Sequence, residues 1–226
     1  MELLLSLGED GVPARAHEIR QLVIAGWTGR DRDALEQHIS ELEALGVKRP
    51  SRTPIFYRVS ANRATLDSHI EVTGAETSGE VEFVLLATAG KLWVGVGSDH
   101  TDRAAESYDV TASKQMCDKP LAPLFWDYAE VAPHWEKLRL RSYIEEASER
   151  VLYQEGSVLA MLDPATLITR YTGQPTLPEG CMMFCGTLPA RDGIRYADKF
   201  ELELEDPVLA RQISHRYTVE CLPFSE

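Results

Sequence analysis

The chain has 226 residues, a length that suits one large domain or a main domain with a small appendage. Its 36 acidic residues outnumber the 23 basic ones, and the formal net charge of −13 argues against a nucleic-acid or anionic-membrane partner. No apolar run reaches the roughly 18–20 residues of a membrane span, and the N-terminus lacks the basic start of a signal peptide. We therefore expect a cytoplasmic protein whose four cysteines are reduced, buried thiols.

The first third of the chain alternates short apolar runs with one helical pattern. Residues 21–26 predict a strand, and residues 31–45 carry Leu and Ile at helical spacing. On that predicted helix His38 and Glu41 are three apart and are therefore neighbours on one face. The pair is either a surface hydrogen bond or a general acid–base dyad in which the carboxylate orients the imidazole. A proline-punctuated linker then follows, up to about residue 53.

Residues 79–86 form an apolar run that predicts a strand and carries two acidic residues. Residues two apart in a strand point to the same face. Glu80 and Glu82 therefore project side by side, while Val81 and Phe83 face the other way into an apolar layer. Two neighbouring carboxylates repel each other unless solvent, a basic residue or a metal lies between them.

A third carboxylate, Asp99, follows the next apolar run at 92–96. Three oxygen ligands that converge from neighbouring strands suit Mg²⁺ or Mn²⁺. The alternative is an edge strand that carries glutamates on its solvent face as a guard against aggregation. Beyond this point the pattern predicts helix and loop at 101–113, an irregular segment at 114–123, and a strand-rich C-terminal part.

Taken together, these pieces resemble the fumarylacetoacetate hydrolase superfamily. In that family a Glu-x-Glu strand and a later Asp bind a divalent metal, so the resemblance implies Glu80, Glu82 and Asp99 as ligands of Mg²⁺ or Mn²⁺. Residues 98–103 are similar to the family's Asn-Asp-x-Ser-x-Arg segment, which implies that Arg103 binds a substrate carboxylate.

Two further stretches carry the resemblance. Residues 113–123 are similar to the family's Gly-Lys-x-x-Asp stretch and Pro-Leu-Gly-Pro loop, which implies that Lys114 polarises an oxygen in the pocket. Residues 177–189 resemble the family's Gly-Thr-Pro motif, which implies a substrate contact by Thr187. Cys181 stands where that motif has Asp. Glu106 takes the place of a substrate-binding Gln, and an acid accepts a hydrogen bond where an amide could donate one.

The segment 25–41 resembles the acylpyruvate hydrolase pattern of a Gly-Arg-Asn-Tyr turn followed by His-x-x-Glu. The resemblance implies that His38, oriented by Glu41, deprotonates a water or moves a proton. The implied activity is that of a hydrolase or lyase that cleaves a C–C bond in a small 2-oxo or β-diketo acid through a metal-stabilised enolate. A 2-keto-3-deoxy sugar acid dehydratase, an oxaloacetate-type decarboxylase and a non-catalytic binding relative are the alternatives.

The resemblance also implies a fold and an assembly. The expected fold is α+β, with a mixed β-sheet roll of the fumarylacetoacetase C-terminal-domain type as the catalytic domain over residues 54–226. A small N-terminal α/β segment over residues 1–53 would carry the lid-like helix. Relatives are usually homodimers. We therefore expect a homodimer that binds a small anionic 2-oxo acid, with no nucleic-acid or membrane partner.

Overall fold

The computed structural model describes residues 1–44, 49–50 and 52–223, without the side chains at positions 34, 37, 38, 41, 42 and 44. The described chain is rich in strands. In chain order they are β1 (Glu2–Leu7), β2 (Arg15–Glu18), β3 (Gln21–Gly26), β4 (Ile55–Val59), β5 (Ala64–Thr65), β6 (His69–Val72), β7 (Thr77–Ser78), β8 (Val81–Thr88), β9 (Lys91–Ser98), β10 (Thr101–Asp102), β11 (Lys119–Pro120), β12 (Leu124–Asp127), β13 (Arg139–Glu146), β14 (Glu149–Ser157), β15 (Cys181–Thr187), β16 (Lys199–Asp206) and β17 (Arg211–Cys221).

The helices are few and short. They are α1 (Arg32–Ala44), α2 (Arg103–Glu106), α3 (Val110–Met116), α4 (Tyr128–Val131) and α5 (Pro164–Thr172), with 3₁₀ segments at Ala61–Arg63, Ala132–Lys137 and Val158–Ala160, of which Ala132–Lys137 is kinked at His134. None of the helices in the described ranges is long and apolar enough to cross a membrane.

Two large sheets organise the molecule. One has eight strands in the order β2-β1-β12-β9-β8-β15-β3-β4, and the other has five in the order β14-β13-β16-β17-β6. Both mix parallel and antiparallel pairs, as in β15 with β3 and β8 with β9. This mixed, sheet-rich architecture agrees with the predicted α+β class. The boundary at residue 53 stays a prediction, and β1, β2 and β3 are hydrogen-bonded members of the larger sheet.

Strand β8 runs through the middle of the larger sheet and is buried along its whole length. Phe83 and Leu85 point into the apolar cluster that the smaller sheet also fills, whereas Val84 and Leu86 point into a second cluster on the opposite face. Because both faces of the strand are covered, its sequence is an almost continuous apolar run. The prediction that Phe83 faces an apolar layer is confirmed, and Glu82 is a buried acid within this strand.

Most predicted strands lie close to their expected bounds, but two expectations are wrong. Lys114, expected in an irregular segment, lies on α3, whose first turn is capped by Asp109 accepting a 2.9 Å hydrogen bond from the Ala112 N–H. Cys221 is exposed because β17 ends at the surface, while the other three cysteines are buried.

Candidate metal centre

Three acidic side chains meet where the β8–β9 hairpin opens. Glu80 directly precedes β8, Glu82 lies in β8 opposite Gly97, and Asp99 directly follows β9. The Asp99 N–H donates a 3.0 Å hydrogen bond to the Glu80 carbonyl, which holds the two strand ends together. Each of the three offers a carboxylate oxygen within 4.8 Å of the others. The structure thus brings together the ligand set that the sequence singled out.

Cationic side chains surround this group of carboxylates. Lys114 donates a hydrogen bond to Asp99, and its Nζ lies 3.8 Å from Oε2 of Glu80. The guanidinium of Arg103 lies 3.1 Å from Oε1 of Glu80 and donates a 2.9 Å hydrogen bond to Glu106. Arg103 and Lys114 are both largely buried, so these contacts act at a lower effective dielectric than surface pairs.

The surroundings drive the pKa values of two buried carboxyl groups in opposite directions. For Asp99, burial favours the protonated form, but Lys114 and Lys119 outweigh it and leave the pKa below its usual value. For Glu82, burial together with the charges of Asp99 and Glu80 raises the pKa well above its usual value. The surroundings therefore favour the protonated form of Glu82 and the ionised form of Asp99.

Lys114 stays protonated in this setting. Burial alone would lower its pKa, but the charges of Asp99, Glu80 and Glu106 reverse that effect and raise it. The side chain is thus a fixed cation beside the carboxylates rather than a proton acceptor.

The residues present fit a divalent cation. The donor set consists of carboxylate oxygens alone, which suits Mg²⁺ or Mn²⁺ better than zinc or copper. Oδ1 of Asp99 is buried and accepts no hydrogen bond from the described residues, and its charged neighbour is the Lys119 ammonium at 3.3 Å. Glu80 is only partly buried and leaves one side of the cluster accessible.

The Gly186 backbone completes the surroundings of Glu82. Its N–H donates a 2.6 Å hydrogen bond to Oε2 of Glu82. Gly186 has a φ of +98°, and a Cβ at this position would collide with the Thr28 hydroxyl. Only glycine allows both this backbone conformation and the close approach of Thr28.

Thr187 and Glu106 are already engaged within the protein. The Thr187 hydroxyl donates a 2.8 Å hydrogen bond to the Val81 carbonyl and accepts one of 2.9 Å from Gln154. Glu106 is bonded to Arg103, as described above. These contacts order the ends of β8 and α2 next to the carboxylates. The substrate-binding roles of Thr187, Glu106 and Arg103 stay predictions.

His38 and Glu41 lie on α1, and their side chains are outside the described residues. Their proposed dyad therefore also stays a prediction.

Two contributors escaped the sequence reasoning. Lys119 is fully buried, and its Nζ lies 3.3 Å from Oδ1 of Asp99. Tyr57, on β4, has its pKa raised by burial, partly opposed by a hydrogen bond from Trp27 and by the charge of nearby Lys114. The resemblance to the family pointed to neither, because Lys119 lies between the two motifs of the 113–123 stretch and Tyr57 reaches the site through the packing of β4 against α3.

Comparisons with known proteins support the fold. A crystal form of 2-keto-3-deoxyarabinonate dehydratase has 16% sequence identity and a TM-score of 0.62, with 94% of this chain and 78% of that chain covered. 2-Keto-3-deoxy-D-arabinonate dehydratase complexed with magnesium and 2,5-dioxopentanoate has 15% identity and a TM-score of 0.60, with 95% and 78% covered. Fumarylacetoacetate hydrolase from psychrophilic Exiguobacterium antarcticum has 15% identity and a TM-score of 0.61, with 92% and 79% covered.

These likenesses confirm the fold that the sequence motifs suggested. No protein with a curated description matches the chain in sequence. A family model described as "Protein of unknown function (DUF2848)" matches residues 25–217. The chain therefore has the fold of the fumarylacetoacetate hydrolase superfamily and belongs to the DUF2848 family.

Proposed function

We propose that the protein is a divalent-metal-dependent hydrolase or lyase that cleaves a C–C bond in a small 2-oxo or β-diketo acid. The observation that carries the proposal is the cluster of Glu80, Glu82 and Asp99, whose oxygens lie within 4.8 Å of one another beside Arg103 and Lys114. The cluster supplies ligands, and its cationic border supplies the local positive charge that an anionic substrate needs in a protein with a net charge of −13.

Glu80, Glu82 and Asp99 would hold the Mg²⁺ or Mn²⁺ ion, which when bound supplies Lewis-acid polarisation of a 2-oxo group. Metal binding requires Glu82 to release the proton that its raised pKa favours. Gly186 orients the Glu82 carboxylate through its N–H hydrogen bond.

The charged side chains around the cluster bind and orient the substrate. Arg103 has a planar guanidinium that suits a substrate carboxylate, and such an anion would compete with Glu80 and Glu106 for it. Lys114 is held protonated and stabilises negative charge that develops on a substrate oxygen. His38, oriented by Glu41, is the proposed group that takes a proton from water.

A dehydratase acting on a 2-keto-3-deoxy sugar acid is the second candidate. It is favoured by the structural likeness to 2-keto-3-deoxy-D-arabinonate dehydratase complexed with magnesium and 2,5-dioxopentanoate. Decarboxylation of an oxaloacetate-type acid uses the same carboxylate cluster, and a non-catalytic relative would keep the metal without turnover. The reactions differ in their products: two carbon fragments, a dehydrated acid, or CO₂.

The test starts with metal binding. Metal-free protein is titrated with Mn²⁺ and Mg²⁺ while thermal unfolding is followed, for the wild type, Glu82→Gln and the control Glu149→Gln, which changes an exposed glutamate on β14. Ligand linkage predicts about 2.7 kcal/mol of stabilisation at a hundredfold excess over Kd. We expect this stabilisation in the wild type and the control and its loss in Glu82→Gln.

The second step is a screen of 2-oxo and β-diketo acids with product analysis by mass spectrometry. Metal-dependent formation of two fragments supports the proposal, and a dehydrated product supports the second candidate. If the metal stabilises the wild type and Glu82→Gln equally, the assignment of the centre is wrong. Metal binding at the cluster without turnover of any acid would favour the non-catalytic alternative.

A further inference from the structure

A cavity of about 370 Å³ lies between the start of α1, the segment before β4 and α5. Its volume falls in the range of small-molecule sites, roughly 300–1,000 Å³. Part of its wall is apolar and comes from Leu35, Ile39 and Leu162. The rest is dominated by one residue type, since five arginines line it: Arg30, Arg32, Arg49, Arg52 and Arg170.

Among the described residues, carboxylates pair with two of the five arginines. Arg49 lies 2.6 Å from Glu36 and 3.2 Å from Glu43, and Arg30 lies 3.9 Å from Asp163. Arg32, Arg52 and Arg170 have no carboxylate within ion-pair distance in the described ranges. By contrast, Arg150 and Arg191, beside the smaller sheet, each contact a glutamate. Arg170 donates a 3.4 Å hydrogen bond to the Thr53 carbonyl. Guanidinium groups that converge on one cavity without carboxylate partners are typical of an oxyanion site.

Two aromatic side chains lie between the cavity and the helix that carries Lys114. Trp27 lines the cavity and donates a hydrogen bond to Tyr57. Tyr57 lies on β4, and β4 packs against α3, the helix of Lys114. A substrate whose reacting end lies at the carboxylates would extend past these rings toward the arginines.

We infer that this arginine-lined cavity is a subsite for a second anionic group, a carboxylate or a phosphate, at the far end of the substrate. The apolar wall receives the carbon chain, and the arginines bind the terminal oxyanion. As a statement about catalysis the inference rests on the proposed function, because the cluster must process the other end of the same molecule. As a statement about binding it stands on the cavity alone.

The binding test uses Trp27 as the reporter. Trp27 is half-buried, whereas Trp93, Trp126 and Trp135 are buried, so collisional quenching by iodide reports mainly on Trp27. Trp27→Phe identifies its share of the quenching. Inorganic phosphate and succinate are then added at constant ionic strength as probes of the two kinds of oxyanion. We expect each anion to protect Trp27 from iodide quenching in a saturable way. The anion with the lower half-saturating concentration is the preferred kind of oxyanion.

The double variant Arg52→Gln/Arg170→Gln should raise that half-saturating concentration by roughly tenfold, because charge-assisted hydrogen bonds are lost. The matched control is Arg15→Gln/Arg139→Gln, which removes two exposed arginines outside the cavity lining. We expect the control to behave as the wild type does. The inference is wrong if neither anion protects Trp27, or if both double variants weaken protection equally.

The result of the quenching experiment is independent of the metal titration. Protection by phosphate or succinate without metal stabilisation would overturn the proposed function and leave an anion site. Metal stabilisation without protection would overturn the subsite alone.

Discussion

The Lys119 ammonium lies 3.3 Å from Oδ1 of Asp99, and both side chains are fully buried. Lys119 also donates hydrogen bonds to the carbonyls of His100 and Cys117, so it ties the turn after β9 to the chain before β11. Asp99 thereby has two lysine partners, because Lys114 approaches its other oxygen. Lys119 holds the Asp99 carboxylate from within the protein, while Lys114 borders the partly accessible Glu80.

Replacement of Lys119 by Met should lower the free energy of unfolding by about 3 kcal/mol or more, since it leaves a buried carboxylate without one of its partners. Urea unfolding with EDTA present measures the loss. The double variant Lys119→Met/Asp99→Asn should be more stable than the sum of the two single losses predicts, because it removes the unpaired charge as well. Additive losses would show that Lys119 and Asp99 are not energetically coupled.

Replacement of Gly186 by Ala should cost more than about 2 kcal/mol, because overpacking against Thr28 adds to the strain of a positive φ. Gly193→Ala is the matched control, since Gly193 has a φ of +87° and open space around the added methyl group. The control should cost roughly 1 kcal/mol. Equal losses in the two variants would exclude the Thr28 contact as the cause.

Gly186→Ala should also weaken Mn²⁺ binding, because the hydrogen bond that orients Glu82 shifts with the backbone. The measurement is the Mn²⁺ concentration at half-maximal thermal stabilisation, compared with that of Gly193→Ala. Unchanged Mn²⁺ affinity in Gly186→Ala would show that Glu82 needs no orientation by this N–H.

Between pH 6.5 and pH 4 His100 should contribute a loss of stability, opposite in sign to the contribution of Glu82, whose raised pKa favours the folded state as the pH falls. Burial, with help from the charges of Lys119 and Arg103, lowers the pKa of His100 to about 3, so the folded state keeps it neutral. The unfolded chain binds a proton below about pH 6.5, and stability is therefore lost as the pH falls through this window. At 1.36 kcal/mol per pKa unit, the loss from pH 6.5 to pH 4 is about 3 kcal/mol.

The variant His100→Asn should flatten this pH dependence in urea unfolding, because an amide does not titrate there. His69→Asn, which replaces an exposed histidine on β6, should keep the slope of the wild type. An unchanged slope in His100→Asn would place the proton uptake at another group.

His38→Ala tests the proposed dyad. Turnover of the identified 2-oxo acid should fall by about 10²-fold or more, in line with the contribution of a general base. The Mn²⁺-induced thermal stabilisation should remain, because His38 is not one of the proposed ligands. Full activity in this variant would remove the dyad from the mechanism.

The sequence alone identified the three carboxylates, because period-2 alternation puts Glu80 and Glu82 on one face of a strand and a hairpin returns the chain to Asp99. It also predicted the long buried strands, whose apolar runs reflect coverage on both faces of the sheet. Local signals of this kind act over a few residues and can be read without the fold.

Only the tertiary structure decided which distant groups surround those carboxylates. Gly186 reaches Glu82 through the pairing of β15 with β8, and Lys119 reaches Asp99 from β11. The arginines without carboxylate partners converge from α1, the segment before β4 and α5. Long-range packing leaves no periodic pattern in the sequence. The burial of Lys119 and the need for glycine at position 186 depend on the side chains that pack against them, Asp99 and Thr28. The chemistry of the acids was therefore readable from the chain, while their pKa values and the anion cavity depend on the fold.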